Sequence, residues 1–230
     1  MKHQLGILIF AAIALLAMQG VRAQGLGGGG GIGASNGDWE LRVGPVFSES
    51  KKIDFQGGST ANIDSATGVK LGIGYYMLPE LAFGLDFNWA HTKFNGTVQG
   101  NPGFSLENGH ADFGTLMFNA TYTLLDGPIK PLVEGGFGWN WIDTNIASGP
   151  PQAGCWWDPW WGYICSGYQP THSNSSFAGQ IGAGVQFNFS RQFAINADYR
   201  YTFIKLRNAD GATGIGGIGL VFLWRFTGGD

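Results

Sequence analysis

Hydrophobic and polar residues alternate along most of the chain with a repeat of two residues. Eight segments follow this pattern between turn signals, namely 39–47, 68–77, 81–92, 111–124, 130–144, 176–189, 192–205 and 213–226. A period of two is the spacing of a β-strand whose two faces meet different environments. The pattern therefore predicts an all-β fold of eight antiparallel strands.

The connections between these segments alternate between short and long. LPE (78–80), DGPI (126–129) and SR (190–191) join the second to the third, the fourth to the fifth and the sixth to the seventh segment. The other four connections are longer and cover 48–67, 93–110, 145–175 and 206–212. Successive connections of an up-and-down sheet lie at opposite ends. Tight turns are therefore predicted at one rim and four long loops at the other.

The two faces of the predicted strands differ in size as well as polarity. In 192–205, Phe193, Tyr199 and Phe203 lie on one face, and Asp198 and Arg200 lie on the other. An eight-stranded barrel has an interior only just wide enough for ordinary side chains, so this many rings do not fit inside. Glycine and small polar residues suit a narrow lumen. We therefore predict an eight-stranded, antiparallel, up-and-down transmembrane β-barrel over 39–226, with its aromatic face towards lipid.

The composition agrees with a membrane barrel. Charged residues make up 13% of the 230 residues, about half the share usual in soluble domains. Aromatic residues reach 14%, and there are 40 glycines. The net charge of −3 provides no strong attraction for nucleic acid, so nucleic acid is not an expected partner.

The N-terminal residues have the pattern of a secretory signal. Lys2 precedes an apolar run over 5–17, and VRA (21–23) supplies small residues before the predicted cleavage at Gln24. We predict a signal peptide over 1–23, a flexible Gly-rich lead over 24–38 and a short tail over 227–230. An exported barrel is expected in the bacterial outer membrane.

The two cysteines of the chain lie in CWWDPWWGYIC (155–165). In an oxidising compartment, Cys155 and Cys165 are expected to form a disulfide. The bond would close the third long loop, 145–175, and contribute roughly 3 kcal/mol. Zinc would need more ligands, and only His172 is near. No metal site and no cofactor are predicted.

Charged residues are also predicted inside the barrel. Extending the alternation places four acids and four bases in the lumen, with Arg225 at its mouth on the short-turn side: Glu40, Asp86, Glu134, Asp198, Arg42, Lys70, Arg200 and Arg225. An unpaired charge in a confined interior costs several kcal/mol, so the balance predicts ion pairs that plug the lumen. The alternative is that several of these charges lie at the rims in water.

From 39 to 226 the sequence resembles the small eight-stranded outer-membrane proteins of the OmpA/OmpX type and the broader porin family of outer-membrane β-barrels. In GIGLVFLWRF (217–226), Phe222, Trp224 and Phe226 resemble the C-terminal signal that the barrel-assembly machinery reads, although TGGD follows here. The resemblance implies a Gram-negative outer membrane with lipid and lipopolysaccharide as surroundings. Tight turns at one rim and long loops at the other are the layout of outer-membrane barrels, so the long loops are expected outside the cell, and we expect the barrel to be a monomer.

The tryptophan-rich loop is the main candidate for function. A rigid aromatic platform binds sugar rings, lipid, or a partner or host surface. Its candidate residues are Trp156, Trp157, Trp160, Trp161 and Tyr163. Asp158 and Pro159 predict a turn that brings the two Trp pairs together. In the alternative, these rings pack on one another, on the rim or in the headgroup belt.

A catalytic role is the other hypothesis to weigh. An enzyme that modifies lipid A would need His, Ser and a carboxylate within hydrogen-bond reach. THSNSS (171–176) offers His172, Ser173, Ser175 and Ser176, with Asp143 at the end of the preceding strand, but the spacing matches no known motif. His91 and His110 flank the second long loop, and two histidines are too few for a metal site. A non-enzymatic structural or surface-recognition role is predicted, with a narrow transport pore and a lipid A-modifying enzyme as alternatives.

Overall fold

The computed structural model of the protein describes residues 33–99, 104–150, 152–205 and 213–227. The predicted signal peptide, 24–32 of the lead, the loop 206–212 and the tail beyond Thr227 lie outside the described residues. The described part contains twelve strands, which are β1 (Asp38–Ser48), β2 (Lys51–Asp54), β3 (Thr60–Ile63), β4 (Ala66–Leu78), β5 (Leu81–Val98), β6 (Phe104–Thr123), β7 (Ile129–Ala147), β8 (Gln152–Asp158), β9 (Gly162–Tyr168), β10 (Thr171–Asn188), β11 (Phe193–Ile204) and β12 (Thr213–Thr227). No helix in these ranges is long and apolar enough to cross a membrane.

Eight of the strands close into a ring. Each of β1, β4, β5, β6, β7, β10, β11 and β12 pairs antiparallel with the next, and β12 pairs back onto β1 with Trp39 opposite Phe226. The predicted all-β, eight-stranded, up-and-down barrel is confirmed. The eight alternating segments of the sequence correspond to these eight strands.

The strands on one side of the barrel are longer than predicted. β5 runs on to Val98, β6 begins at Phe104, and β7 and β10 extend to Ala147 and from Thr171. Most of 93–110 and the ends of 145–175 are therefore strand rather than loop. Two further hairpins lie inside the predicted loops. β2 and β3 form one, with β3 joined to β5, and β8 and β9 form the other as a separate sheet.

Large apolar side chains cover the outer surface of the ring. Leu71, Phe137 and Phe222 are exposed by 48%, 54% and 51% because their side chains point away from the lumen. On the long-loop side this apolar belt ends at a row that contains Trp89 and Trp141, which are both register partners of Gly114. The next outward row is polar, with His91 opposite Asp112 and Asp112 opposite Asp143.

The inner face becomes apolar towards the long-loop end. From the level of Met117 towards that end, the lumen holds a buried apolar cluster of Met117, Ala178, Ile142, Ala111, Phe94 and Ile204. The prediction of a glycine-rich, polar lumen is therefore wrong at the long-loop end. Outside the membrane the outward face meets water, so the apolar residues of the same strands turn inward as they do in a soluble sheet.

The short-turn rim is fastened by the residues just before β1. The Gly37 amide donates a hydrogen bond to the Tyr76 carbonyl at 2.9 Å. The Arg191 guanidinium donates to Ser35 Oγ at 3.0 Å, and the Ser35 amide donates to Asp38 Oδ2 at 2.7 Å. This described end of the lead, expected to be flexible, is thus hydrogen-bonded to the barrel, and Asp38 is already the first residue of β1.

Candidate functional sites in the lumen and the long loops

All eight charged residues predicted in the lumen are buried there. Their exposed fractions are at most 7%, and Asp86 and Asp198 are fully buried. None of the eight lies at a rim in water, because each points to the inner face of its strand. Their mutual contacts decide whether so much buried charge is tolerated.

Glu40 on β1 is the centre of the first group of contacts. Its Oε1 lies 2.9 Å from Arg42 Nε, and its Oε2 lies 3.0 Å from Arg225 Nε. The Tyr76 hydroxyl donates a hydrogen bond to Oε2 at 2.7 Å, and the Arg225 guanidinium lies 5.4 Å from the centre of the Tyr76 ring. The Arg225 amide donates to the Gln192 carbonyl at 2.7 Å beside the short turn, and its side chain is buried in the lumen at that end.

Asp86 on β5 carries the contacts onward. Lys70 Nζ lies 2.8 Å from its Oδ2, and Arg42 Nη1 lies 3.4 Å from its Oδ1. The Asn119 amide donates to Asp86 Oδ2 at 2.8 Å. Two glycines, Gly74 and Gly84, make room for the Arg42 side chain, because a Cβ at either position would lie less than 3 Å from the guanidinium.

Arg200 on β11 forms the third group. Its Nε lies 2.6 Å from Asp198 Oδ1 and 2.9 Å from Glu134 Oε1. Gln180 Nε2 donates to Glu134 Oε1 at 3.0 Å and to Asn119 Oδ1 at 3.4 Å. Asn119 and Gln180 therefore join the Arg200 group to the Asp86 group.

These contacts form one continuous chain, which we call the lumen network, and it includes residues from all eight barrel strands. The β10 residue Asn188 joins it because its Oδ1 accepts a hydrogen bond from Arg225 Nη1 at 2.9 Å. A count of charges alone missed the neutral members Tyr76, Asn119, Gln180 and Asn188. The same alternation places these four side chains on the inner face. Tyr76 lies six residues from the predicted lumen residue Lys70 on β4. The other three occupy the polar face of their strands.

The tryptophan-rich segment forms the hairpin β8–β9, here called the Trp hairpin. Cys155 and Cys165 are register partners and form a disulfide across it. One residue further out, Trp156 lies opposite Ile164. Trp157 and Tyr163 follow, with ring centroids 5.9 Å apart in an edge-to-face arrangement.

The tip of the Trp hairpin is held by Asp158. Its Oδ1 accepts hydrogen bonds from the amides of Trp160 at 2.8 Å and Trp161 at 3.0 Å. Gly162 follows with φ +75°, a left-handed conformation that suits glycine. Trp160 and Trp161 are 89% and 81% exposed, so the turn presents them to solvent and does not bring the two Trp pairs together as expected. The ring pair across the hairpin is Trp157 with Tyr163.

The candidate catalytic residues do not assemble into a triad. Ser173 lies opposite Asp143 in the strand register, and His172 lies at a register irregularity in β10. Among the described residues, the His172 carbonyl accepts a hydrogen bond from Thr144 Oγ1 at 2.8 Å, and no hydrogen bond joins the His172 imidazole to Ser173 or Asp143. Ser175 shares the outward side of Ser173, and Ser176 shares the inward side of Asn174.

The other two histidines belong to strands rather than loop ends. His91 Nδ1 lies 2.8 Å from Asp112 Oδ1, and the His91 ring stacks on His110 with centroids 5.4 Å apart. Within the described ranges, no group of three or more His, Cys, Asp and Glu side chains is arranged to hold a metal ion.

The strand β12 carries the predicted assembly residues on the outer surface. Phe222, Trp224 and Phe226 are 51%, 50% and 38% exposed. They pair with Val43, Leu41 and Trp39 of β1, so they lie at the seam where the ring closes.

A closed antiparallel ring with an apolar exterior and a buried ionic interior defines the class of transmembrane β-barrels. The chain belongs to the family described as the outer membrane protein beta-barrel domain, whose sequence pattern matches residues 5–226. No curated protein sequence matches the chain.

Solved structures with a similar fold are small outer-membrane barrels. OprG from Pseudomonas aeruginosa is 16% identical, with a TM-score of 0.51 over 86% of this chain and 100% of that one. Neisserial surface protein A is 15% identical, with a TM-score of 0.49 over 84% and 100%. Ail of Yersinia pestis, solved with the heparin analogue sucrose octasulfate, is 17% identical, with a TM-score of 0.48 over 83% and 99%. At these identities the likeness to OprG shows a shared fold.

Proposed function

We propose that this protein is a non-enzymatic outer-membrane barrel that recognises a ligand outside the cell through the Trp hairpin, with its lumen closed by the lumen network. The observation that carries the proposal is the exposure of Trp160 and Trp161, 89% and 81%, at the tip of a hairpin fixed by a disulfide. Exposed indoles rarely occur together on a surface that has no binding role. On this proposal the long-loop rim faces the cell exterior.

The Trp hairpin is already ordered before any ligand binds. The disulfide, the Trp157–Tyr163 ring contact and the two hydrogen bonds to Asp158 all restrict it. A fixed aromatic surface loses little conformational entropy on binding, so more of the contact energy becomes affinity. Asp158 is the one charged residue of 152–168, which favours a neutral ligand with apolar faces, such as a sugar ring.

The binding test replaces the two tip residues by serine (Trp160→Ser, Trp161→Ser). Cells that display this variant should lose at least about tenfold in binding to neutral glycans or to the host surface that the wild type binds, because hot-spot tryptophans contribute most of an interface's affinity. The control variant, Lys52→Ala with Asp54→Ala, changes an exposed pair of the β2–β3 hairpin, whose side chains are 60% and 61% exposed. Equal binding by all three proteins would remove the proposed role of the Trp hairpin.

The closed lumen has its own test. The lumen network crosses the bore from every barrel strand, which leaves little room for a continuous water column. In planar lipid bilayers, the purified wild type should show no sustained single-channel conductance. A stable open channel would instead favour the alternative of a narrow pore.

The non-enzymatic assignment is tested on the lipid that surrounds the barrel. Expression of the protein should leave the mass of lipid A unchanged, because His172, Ser173 and Asp143 do not form a catalytic group. A mass shift that disappears in His172→Ala would identify an enzyme. We further propose that the barrel-assembly machinery reads Phe222, Trp224 and Phe226, and that the barrel is a monomer in contact with lipopolysaccharide.

A further inference from the structure

A cavity of about 110 Å³ lies in the lumen between the lumen network and the apolar cluster at the long-loop end. Gln180 and Arg200 line it from the network side. Phe113, Ile204 and Ile215 line it from the apolar side. The cavity is therefore polar on the side of the lumen network and apolar on the side of the long loops.

A row of polar side chains crosses three strands at the level of this cavity. Asn88 on β5 is the register partner of Thr115 on β6, which is the partner of Asn140 on β7. All three line the cavity. Asn88 Nδ2 donates a hydrogen bond to Thr115 Oγ1 at 2.9 Å, and Asn140 Nδ2 donates to the Gly114 carbonyl at 3.2 Å.

The amide oxygens of this row are unpaired. Asn140 is 2% exposed, and the Oδ1 atoms of Asn88 and Asn140 are buried with no hydrogen-bond partner among the described residues. The Gly114 carbonyl fixes the Asn140 amide, since only its NH₂ group can donate there. Asn140 lines the cavity, and its Oδ1 is the side-chain polar atom that has no partner in the barrel wall. Buried acceptors are almost always hydrogen-bonded, so these oxygens call for a donor from inside the cavity.

The surroundings restrict the chemistry of that donor. The buried Arg200 guanidinium lines the same cavity and disfavours a cation. Val46, Ala90 and Phe113 supply an apolar wall, against which a molecule with an apolar part is more stable than water alone. The volume is somewhat below the roughly 150 Å³ of a cavity that accepts benzene.

We propose that this upper-lumen cavity binds a small neutral alcohol, whose hydroxyl donates to Asn140 Oδ1 or Asn88 Oδ1 and whose carbon chain packs on the apolar wall. The site is separate from the Trp hairpin and does not depend on the function proposed for it. It also leaves the lumen network below it unchanged.

The probe for the test is 2,2,2-trifluoroethanol, followed by ¹⁹F NMR with the full barrel in detergent micelles. The wild type should broaden the resonance beyond the effect of empty micelles. Asn140→Leu, which keeps the branched shape of the side chain but removes the acceptor, should bind roughly fivefold more weakly, as expected for one lost hydrogen bond. Val46→Phe should abolish the broadening by filling the cavity.

Two controls make the result specific. Val43→Phe places the same substitution on the same strand, but on the outer surface, where Val43 is 49% exposed, and it should broaden the resonance as the wild type does. The methyl ether of trifluoroethanol cannot donate a hydrogen bond, so the wild type and Asn140→Leu should affect it equally. Gel mobility without boiling verifies that each variant is folded. Equal broadening of trifluoroethanol by all four proteins would overturn the proposal and leave water as the occupant of the cavity.

Discussion

At the scale of single residues, Glu40 shows how the barrel tolerates charge in its interior. One carboxylate accepts contacts from Arg42, Arg225 and Tyr76, and so joins β1, β12 and β4. The cost of moving each ion out of water is offset because every charge meets an opposite charge at hydrogen-bond distance. Side chains that would be costly alone thus stabilise the closed ring together.

This interpretation predicts a large loss of stability for Glu40→Ala. The substitution leaves Arg42 and Arg225 buried without their shared carboxylate, and breaking a buried pair in this way costs about 3–5 kcal/mol. Guanidinium unfolding of the barrel in lipid vesicles measures the change in the free energy of unfolding.

The matched control for Glu40→Ala is Asp54→Ala in the exposed β2–β3 hairpin. Asp54 Oδ1 lies 3.5 Å from Lys52 Nζ, but both side chains are more than half exposed, so the loss should be at most about 0.5 kcal/mol. Similar losses for the two variants would show that the lumen network does not stabilise the barrel.

At the scale of strands, glycine decides how closely neighbours approach. A Cβ at Gly44 on β1 would lie 2.8 Å from Val221 Cα and against the Leu220 carbonyl, at the seam with β12. A Cβ at Gly179 on β10 would meet nothing within 4 Å. Two glycines in similar strands thus have different structural importance.

We therefore expect Gly44→Ala to destabilise the barrel by about 1–3 kcal/mol, because backbone atoms must move to relieve the overlap. Gly179→Ala should be neutral. The folded fraction after refolding into micelles, read from mobility on unboiled gels, compares the two. A normal folded fraction for Gly44→Ala would contradict the tight β1–β12 seam.

The strands that cross the membrane could be predicted from the sequence, and their extensions could not. Inside the apolar belt each strand keeps large residues on one face, as in the alternation of Phe193 and Asp198, so a period of two is sufficient to find it. Beyond Trp89 and Trp141 the apolar residues change face, and the predicted strands 81–92 and 111–124 ended one residue past the polar outward positions His91 and Asp112. When the apolar residues move from the outer to the inner face within one strand, the alternation no longer indicates where that strand ends.

The candidate sites were predictable to different degrees for similar reasons. Charge and alternation identified the lumen residues because buried charges require partners. The ring contacts of the Trp hairpin depend on the register of β8 and β9. A shift of one residue would place each ring on the opposite face of its strand. Sequence alone therefore located the tryptophans but not Trp157 against Tyr163. The row of Asn88, Thr115 and Asn140 needed the registers of three strands before it could be recognised.

At the scale of the whole molecule, the barrel reverses its polarity along its axis. In the belt, apolar side chains such as Leu71 point outward and ions fill the lumen. Above it, the outward residues are polar and Phe94 and Ile142 pack inside. One set of strands thus suits lipid below and water above, and we expect the membrane boundary at the polar row of His91, Asp112 and Asp143.

This boundary predicts how the cost of an added charge depends on depth. Leu71 lies in the middle of the belt on β4 and is 48% exposed. Thr67 points outward from the same strand and is the register partner of His91 in the polar row. In lipid vesicles, Leu71→Arg should lower the free energy of unfolding by about 2–4 kcal/mol, and Thr67→Arg by about 0–1 kcal/mol. In a detergent that solvates the whole surface, the two substitutions should lower the free energy of unfolding by nearly equal amounts. Equal costs in vesicles would mean that the membrane boundary is not at the polar row and that the belt is placed differently along the barrel axis.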